Sequence, residues 1–138
     1  MTIEDYQSVF DLWQQSKMVG LRSLDDSYEG IYKFLKRNPS SNFVALIDDQ
    51  LVGAIMSGHD GRRGFIYHLV VAQDHSRQGI GRELVFKCLE ALEKEEITKV
   101  AIVVFKNNEN GNAFRQHLGF ELRDDLVYRN ISINQENN

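Results

Sequence analysis

The chain has 138 residues, a formal net charge of −4, 42% hydrophobic residues, one Cys and one Pro. That is enough for one domain with a real core and leaves no room for a second. The composition excludes an internal disulfide, and the acidic balance with scattered basic residues argues against nucleic-acid binding. No apolar run approaches membrane-spanning length and MTIEDYQ is not a signal peptide, so a cytoplasmic protein with no membrane partner is expected.

Thr2 followed by Asp5 reads as a helix cap, and Ile3, Tyr6, Val9, Phe10 and Trp13 give the helix that follows an apolar face. Met18 to Leu24 is a loop. Asp25 to Lys36 is a second helix with Tyr28, Ile31, Tyr32 and Leu35 on one side, stopped by Pro39. Phe43 to Ile47 and Leu51 to Met56 flank Asp48, Asp49 and Gln50, predicting a β-hairpin. A glycine-rich turn from Gly58 to Gly64 leads into a third strand, Phe65 to Val71. Strict alternation puts Phe65, Tyr67, Leu69 and Val71 on one face and Ile66, His68 and Val70 on the other, so His68 is assigned to core packing.

The period then changes from two to that of a helix running from Gly79 to about Glu95. Glu83 with Lys87, and Glu90 with Lys94, are spaced as surface pairs. Cys88 lies on the apolar face as a buried thiol. At the change of period stand Arg77, Gln78, Gly79, Ile80, Gly81 and Arg82. The first N–H groups of a helix lack partners and carry partial positive charge, glycines let a phosphate approach closely, and two arginines add charge. These residues read as a pyrophosphate site, with an ordinary turn and helix start as the alternative. Val100 to Phe105 reads as a central strand covered on both faces. Ala113, Phe114 and Leu118 line a short helix ended by Gly119. Leu126 to Ile133 is a final strand, and residues 134–138 are a disordered tail.

The order of strand, Ser76-Arg77-Gln78-Gly79-Ile80-Gly81, amphipathic helix, buried strand and NENGNAFRQHLGF, ending in Leu118-Gly119-Phe120, resembles the GNAT superfamily of acetyl-CoA dependent N-acetyltransferases. The glycines match the family signature, while Ser76 stands where a Gln or Arg is usual. The resemblance implies one α/β (α+β) domain over residues 1–138, with a mixed, mostly antiparallel sheet flanked by helices. The family's first strand has no counterpart ahead of Ile3. The strand at 43–47 then becomes a sheet edge open to a partner chain, which would give a homodimer.

By the same resemblance, Leu69, Val70 and Val71 present backbone to the pantetheine arm of acetyl-CoA, and Asn108 holds that arm unless it only caps a helix. Met18, Leu21, Leu24 and Tyr28 are candidate acceptor-pocket residues, with ordinary packing as the competing reading. Many members carry a proton-donating Tyr five residues before the Phe of L-G-F, and that position here is Arg115, which can stabilise a thiolate but not act as an ordinary acid. The Glu used by members that acetylate protein N-termini is replaced by Val103. Tyr67 and Tyr128 remain as proton carriers. The histidines lack metal-ligand spacing, so no metal is expected. The resulting expectation is acetyl transfer from acetyl-CoA to a primary amine of a small molecule or peptide by direct attack. The alternative is a module that binds coenzyme A or an acyl derivative without transfer. A dinucleotide-binding domain is disfavoured because hairpins precede the motif and G-x-G-x-x-G is missing.

Overall fold

The computed structural model describes residues 1–138. A short 3-10 turn over Ile3–Asp5 leads into α1 (Tyr6–Gln15). The expected cap is present, with the Thr2 N–H donating to Asp5 Oδ2 at 2.8 Å. A loop then connects to α2 (Tyr28–Arg37), which starts at Ser27, whose hydroxyl oxygen accepts from the Gly30 N–H at 3.0 Å. Strands β1 (Phe43–Ile47), β2 (Gln50–His59) and β3 (Gly64–Val71) form an antiparallel meander. Asp48 and Asp49 both adopt positive φ, 50° and 64°, closing the first hairpin in the tight turn that aspartate tolerates best after glycine and asparagine. Helix α3 (Ile80–Lys94) crosses to β4 (Val100–Ile102), which lies parallel to β3, and α4 (Glu109–His117) follows. The strand order is β1-β2-β3-β4, so β1 is an edge, as expected.

The sheet is packed on both faces. Val9, Leu12, Trp13, Ile31 and Leu35 of α1 and α2 meet Ala54, Met56 and Val70 on one face. Leu84, Val85 and Cys88 of α3 meet Ile55 and Ile66 on the other, flanked by Leu69, Val71, Phe114 and Leu118. Trp13, Val85, Cys88 and Leu92 have no exposed surface.

Four expectations are corrected. First, β3 does not alternate strictly. Ala54 pairs with Val70 and Met56 with Tyr67, so Ile55 faces both His68 and Leu69, and His68 takes φ 49°. This β-bulge carries one extra residue, after which the faces exchange. Tyr67, His68 and Val70 consequently lie toward α1 and α2, while Ile66, Leu69 and Val71 lie toward α3.

Second, β4 pairs for only three residues and forms the other sheet edge, with Val103 and Phe105 about half exposed, so it is not a strand covered on both faces. Third, Leu126 to Ile133 forms no strand: the segment is extended, and Leu126, Val127, Tyr128, Ile131 and Ile133 are all exposed. Strand-like sequence needs a partner ladder, and none is paired with it here. Fourth, the tail is tied down. Asn137 Oδ1 accepts from the Leu24 and Asp25 N–H groups at 3.0 and 3.1 Å, and the Ser23 N–H donates to the Asn138 carbonyl at 2.9 Å. Smaller departures concern Ala113, which is exposed, and Glu83–Lys87, which does not close, whereas Glu90–Lys94 does at 3.3 Å.

Candidate active site

Helix α3 begins at the glycine pair. Gly79 is its N-cap with φ 82°, a conformation for which glycine is the natural residue, and no side chain caps the helix end. A Cβ built on Gly79 meets nothing within 4 Å, so the space in front of the helix start is open. Gly81 serves a different need: a Cβ there would lie 3.3 Å from Phe114 Cζ and 3.7 Å from Val71 Cγ2, where α3, α4 and β3 converge. Arg77 has φ 63° and is exposed along with Gln78. Arg82 stacks its guanidinium 5.1 Å from the Phe86 ring centre.

Beside this helix start, β3 and β4 separate. Their pairing ends at Ile66 with Ile102, so Leu69, Val70 and Val71 continue with no strand on the β4 side. The opening is therefore bounded by backbone that has lost its ladder on one edge, next to a helix end rich in free donors. Asn108 stands at the N-cap of α4 and its Oδ1 accepts from the Gly111 N–H at 2.9 Å. Capping occupies the oxygen and leaves the amide nitrogen without a partner. Arg115 turns back along α4, with Nη1 donating to the Gly111 carbonyl at 3.0 Å and Nε buried without an acceptor. Burial lowers its pKa from the usual guanidinium value.

The opposite side of β3 faces the loop between α1 and α2. There His68 Nε2 lies 2.7 Å from Asp26 Oδ1, and the imidazole packs edge-to-face with Trp13 at 5.0 Å. Asp26 is 5% exposed; its Oδ2 accepts from the Arg22 N–H at 2.6 Å, and its carbonyl accepts from the Tyr6 hydroxyl at 2.8 Å. A cavity of about 460 Å³ opens beside Asp26, lined also by Tyr6, Phe10, Leu21 and Tyr28. None of residues 77–82 borders it. Of the pocket residues expected from sequence, Leu21 and Tyr28 line this cavity, whereas Met18 and Leu24 are exposed outside it. Phe105, just after β4, reaches the same loop: its Cζ would lie 3.0 Å from a Cβ on Gly20.

Tyr67 packs tilted against Phe65 at 4.6 Å and edge-to-face with Phe34 at 5.8 Å, and 41% of it is exposed. Burial, then the neighbouring Tyr128 and Asp25, raise its phenol pKa, so it stays a proton carrier at neutral pH. Tyr128 lies on the extended C-terminal segment and is exposed. Sequence reasoning did not find the His68–Asp26 pair. The residues are 42 apart, and the bulge that turns His68 toward Asp26 is not marked by a glycine.

Residues 6–120 match the acetyltransferase (GNAT) family. The chain belongs to that family. It is 28% identical over 124 residues to an acetyltransferase from Sodalis glossinidius, covering 90% of this chain and 86% of the relative. Among solved structures it resembles Ard1 from Thermoplasma volcanium with TM-score 0.78 and 20% identity, over 89% of this chain and 80% of that one. PaiA N-acetyltransferase from Thermoplasma acidophilum in complex with coenzyme A gives TM-score 0.74 at 18% identity, covering 90% and 88%. An aminoglycoside acetyltransferase from an uncultured soil metagenomic sample, in complex with sisomicin, gives 0.74 at 19%, covering 97% and 93%. These likenesses carry the fold, and the family carries the chemistry: this GNAT protein is an acetyltransferase. No group of His, Cys, Asp and Glu is arranged to hold a metal, and no helix is long and apolar enough to cross a membrane.

Proposed function

We propose that this GNAT protein binds acetyl-CoA across the start of α3 and the gap between β3 and β4, and passes the acetyl group directly to a primary amine of a small molecule or peptide. The observation that carries this reading is the open, uncapped N-terminus of α3 beside the point where β3 loses its β4 ladder. The N–H groups at Gly79 to Arg82, with the Arg77 and Arg82 side chains, would hold the diphosphate. Backbone of Leu69, Val70 and Val71 and the free amide nitrogen of Asn108 would hold the pantetheine amides. When bound, acetyl-CoA supplies an already activated thioester.

The protein's own work is then placement and proton handling. The cavity beside Leu21, Tyr28 and Asp26 receives the acceptor, and an N–H at Leu69 to Val71 stabilises the carbonyl oxygen as charge builds on it. Tyr67 or Tyr128 returns a proton to the departing sulfur, and the Arg115 cation favours the thiolate. The aminoglycoside and protein N-acetyltransferase neighbours support an amine acceptor, and the net charge of −4 suits a cationic one. A second copy of the chain is proposed to cover the exposed β1 edge, where Leu46 is 58% exposed, giving a dimer in sedimentation.

Calorimetry with coenzyme A and thiol release against a panel of amines test the reading. Heat of binding with acceptor-dependent thiol release is expected. No binding refutes it, and binding without release under every amine identifies a coenzyme A binding module instead.

A further inference from the structure

The bulge at His68 is the one place inside a strand where a non-glycine residue is held at positive φ, and it projects that residue at a buried carboxylate. Left-handed backbone in a residue other than glycine costs free energy, and such strain persists where surrounding contacts impose it. Here those contacts are specific. Asp26 is fixed from two sides, by the Arg22 N–H on Oδ2 and by the Tyr6 hydroxyl on its carbonyl. Its remaining oxygen, Oδ1, meets His68 Nε2 at 2.7 Å. A carboxylate only accepts, so Nε2 carries the hydrogen and Nδ1 carries the lone pair. Nδ1 makes no hydrogen bond within the chain and is not sealed from solvent. Trp13 fixes the plane of the ring.

This arrangement lies on the acceptor side of β3. Asp26 borders the cavity beside Leu21 and Tyr28, and His68 stands just behind it, 18% exposed and adjoining Leu69, the first of the three residues assigned to the pantetheine arm. We propose that His68 is the base that takes the proton from the acceptor amine, and that Asp26 is its positioning residue. This rests on the acetyl-transfer reading above and deepens it by naming the proton acceptor. The amine arrives in water as an ammonium ion. His68 Nδ1 removes one proton through one bridging water, the freed nitrogen lone pair forms the C–N bond to the acetyl carbon, and the C–S bond breaks with its electron pair leaving on sulfur. The second proton lost from nitrogen goes to sulfur or solvent, and His68 returns its proton to solvent. The other titratable or charged groups around His68 are Asp26, Tyr6, Arg22 and Tyr28 on the α1–α2 side and Tyr67 beside it in β3. The facing β2 residues Ala54, Ile55 and Met56 bring none.

The test measures kcat/KM against pH for the unmodified protein, His68→Gln and Asp26→Asn with one amine acceptor that supports thiol release, and coenzyme A binding to each by calorimetry. The unmodified protein should lose activity on the acid side. His68→Gln should lower kcat/KM by about 10²–10⁴-fold, abolish that acid limb and leave coenzyme A affinity within a few-fold. Asp26→Asn should keep the limb at a displaced pH and lower kcat/KM less. The two variants are judged separately, so the folded one decides if the other fails to fold. Unchanged kcat/KM and acid limb in either folded variant overturn the inference. Absence of coenzyme A binding by the unmodified protein would instead refute the acetyl-transfer reading itself.

Discussion

Against α3 the sheet lays Ile55 and Ile66, closed over by Leu84, Val85 and Cys88, and the ion pair on this side, His59 with Glu95 at 3.3 Å, stands at the far end of α3 away from that cluster. Against α1 and α2 the same strands lay Ala54, Met56 and Val70, but within reach of Trp13 there are also Asp26 and His68. The apolar face has one task, to fix the direction in which α3 presents its first N–H groups. The mixed face carries a hydrophobic cluster of its own and in addition holds a buried carboxylate, which is tolerable only because each of its oxygens has a partner. The difference teaches where substitutions separate stability from chemistry. Changes on the α3 face should act mainly on folding, whereas on the α1–α2 face changes at His68 and Asp26 should act mainly on turnover and changes at Val9, Trp13 or Ile31 on folding.

The largest expected effect that would break this division is at Leu92, which has no exposed surface and contacts Gly64 and its surroundings. Leu92→Ala should cost about 2–5 kcal/mol in denaturant unfolding while the folded fraction keeps its KM values. A changed acceptor KM would show that the two faces are coupled.

Cys88 comes next. Burial raises its thiol pKa to about 11 from an ordinary 9.0. A raised acid pKa means the folded protein holds the proton more tightly, so the contribution is complete below pH 9 and is lost as pH rises through 11. The loss should approach about 2–3 kcal/mol, read as a falling melting temperature, and Cys88→Ala should flatten it.

Tyr67→Phe should lower kcat by about tenfold, or about 1.4 kcal/mol, with coenzyme A affinity preserved. If Tyr67→Phe and Tyr128→Phe both keep full turnover at every pH, neither phenol is the donor. An effect of similar size is expected of Gly79→Ala. The added methyl meets open space, so only the φ of 82° resists it, costing about 1–2 kcal/mol shared between stability and coenzyme A binding.

Much of this architecture is legible in residue spacing. The period change between Val71 and Ile80 marks the start of α3, the Asp48–Asp49 pair marks the hairpin, and Phe65 to Val71 marks the central strand. The open, uncapped helix start follows because it depends on backbone and glycine alone. The His68–Asp26 pair does not, since a bulge is set by the competing registers of two strands and leaves no sign in one of them. Val103 to Phe105 and Leu126 to Ile133 fail for a related reason. β-type side chains describe what a ladder can hold, and the ladder itself comes from elsewhere in the chain. The tail at 134–138 reads as polar and free, yet the Ser23 hydroxyl donates to the Glu136 carbonyl and accepts from the Asn138 N–H, contacts more than 100 residues apart in sequence.

The extra residue in β3 also bears on how such a protein can lose one property and keep another. Removing His68 outright, rather than replacing it, would leave Leu69 alone opposite Ile55 and return the two strands to one-to-one register, with Tyr67, Val70 and Val71 still on their present sides. A single-codon deletion should therefore preserve the pairing of β2 with β3 while leaving Asp26 Oδ1 without its partner, so the strand frame and the buried carboxylate can be perturbed separately.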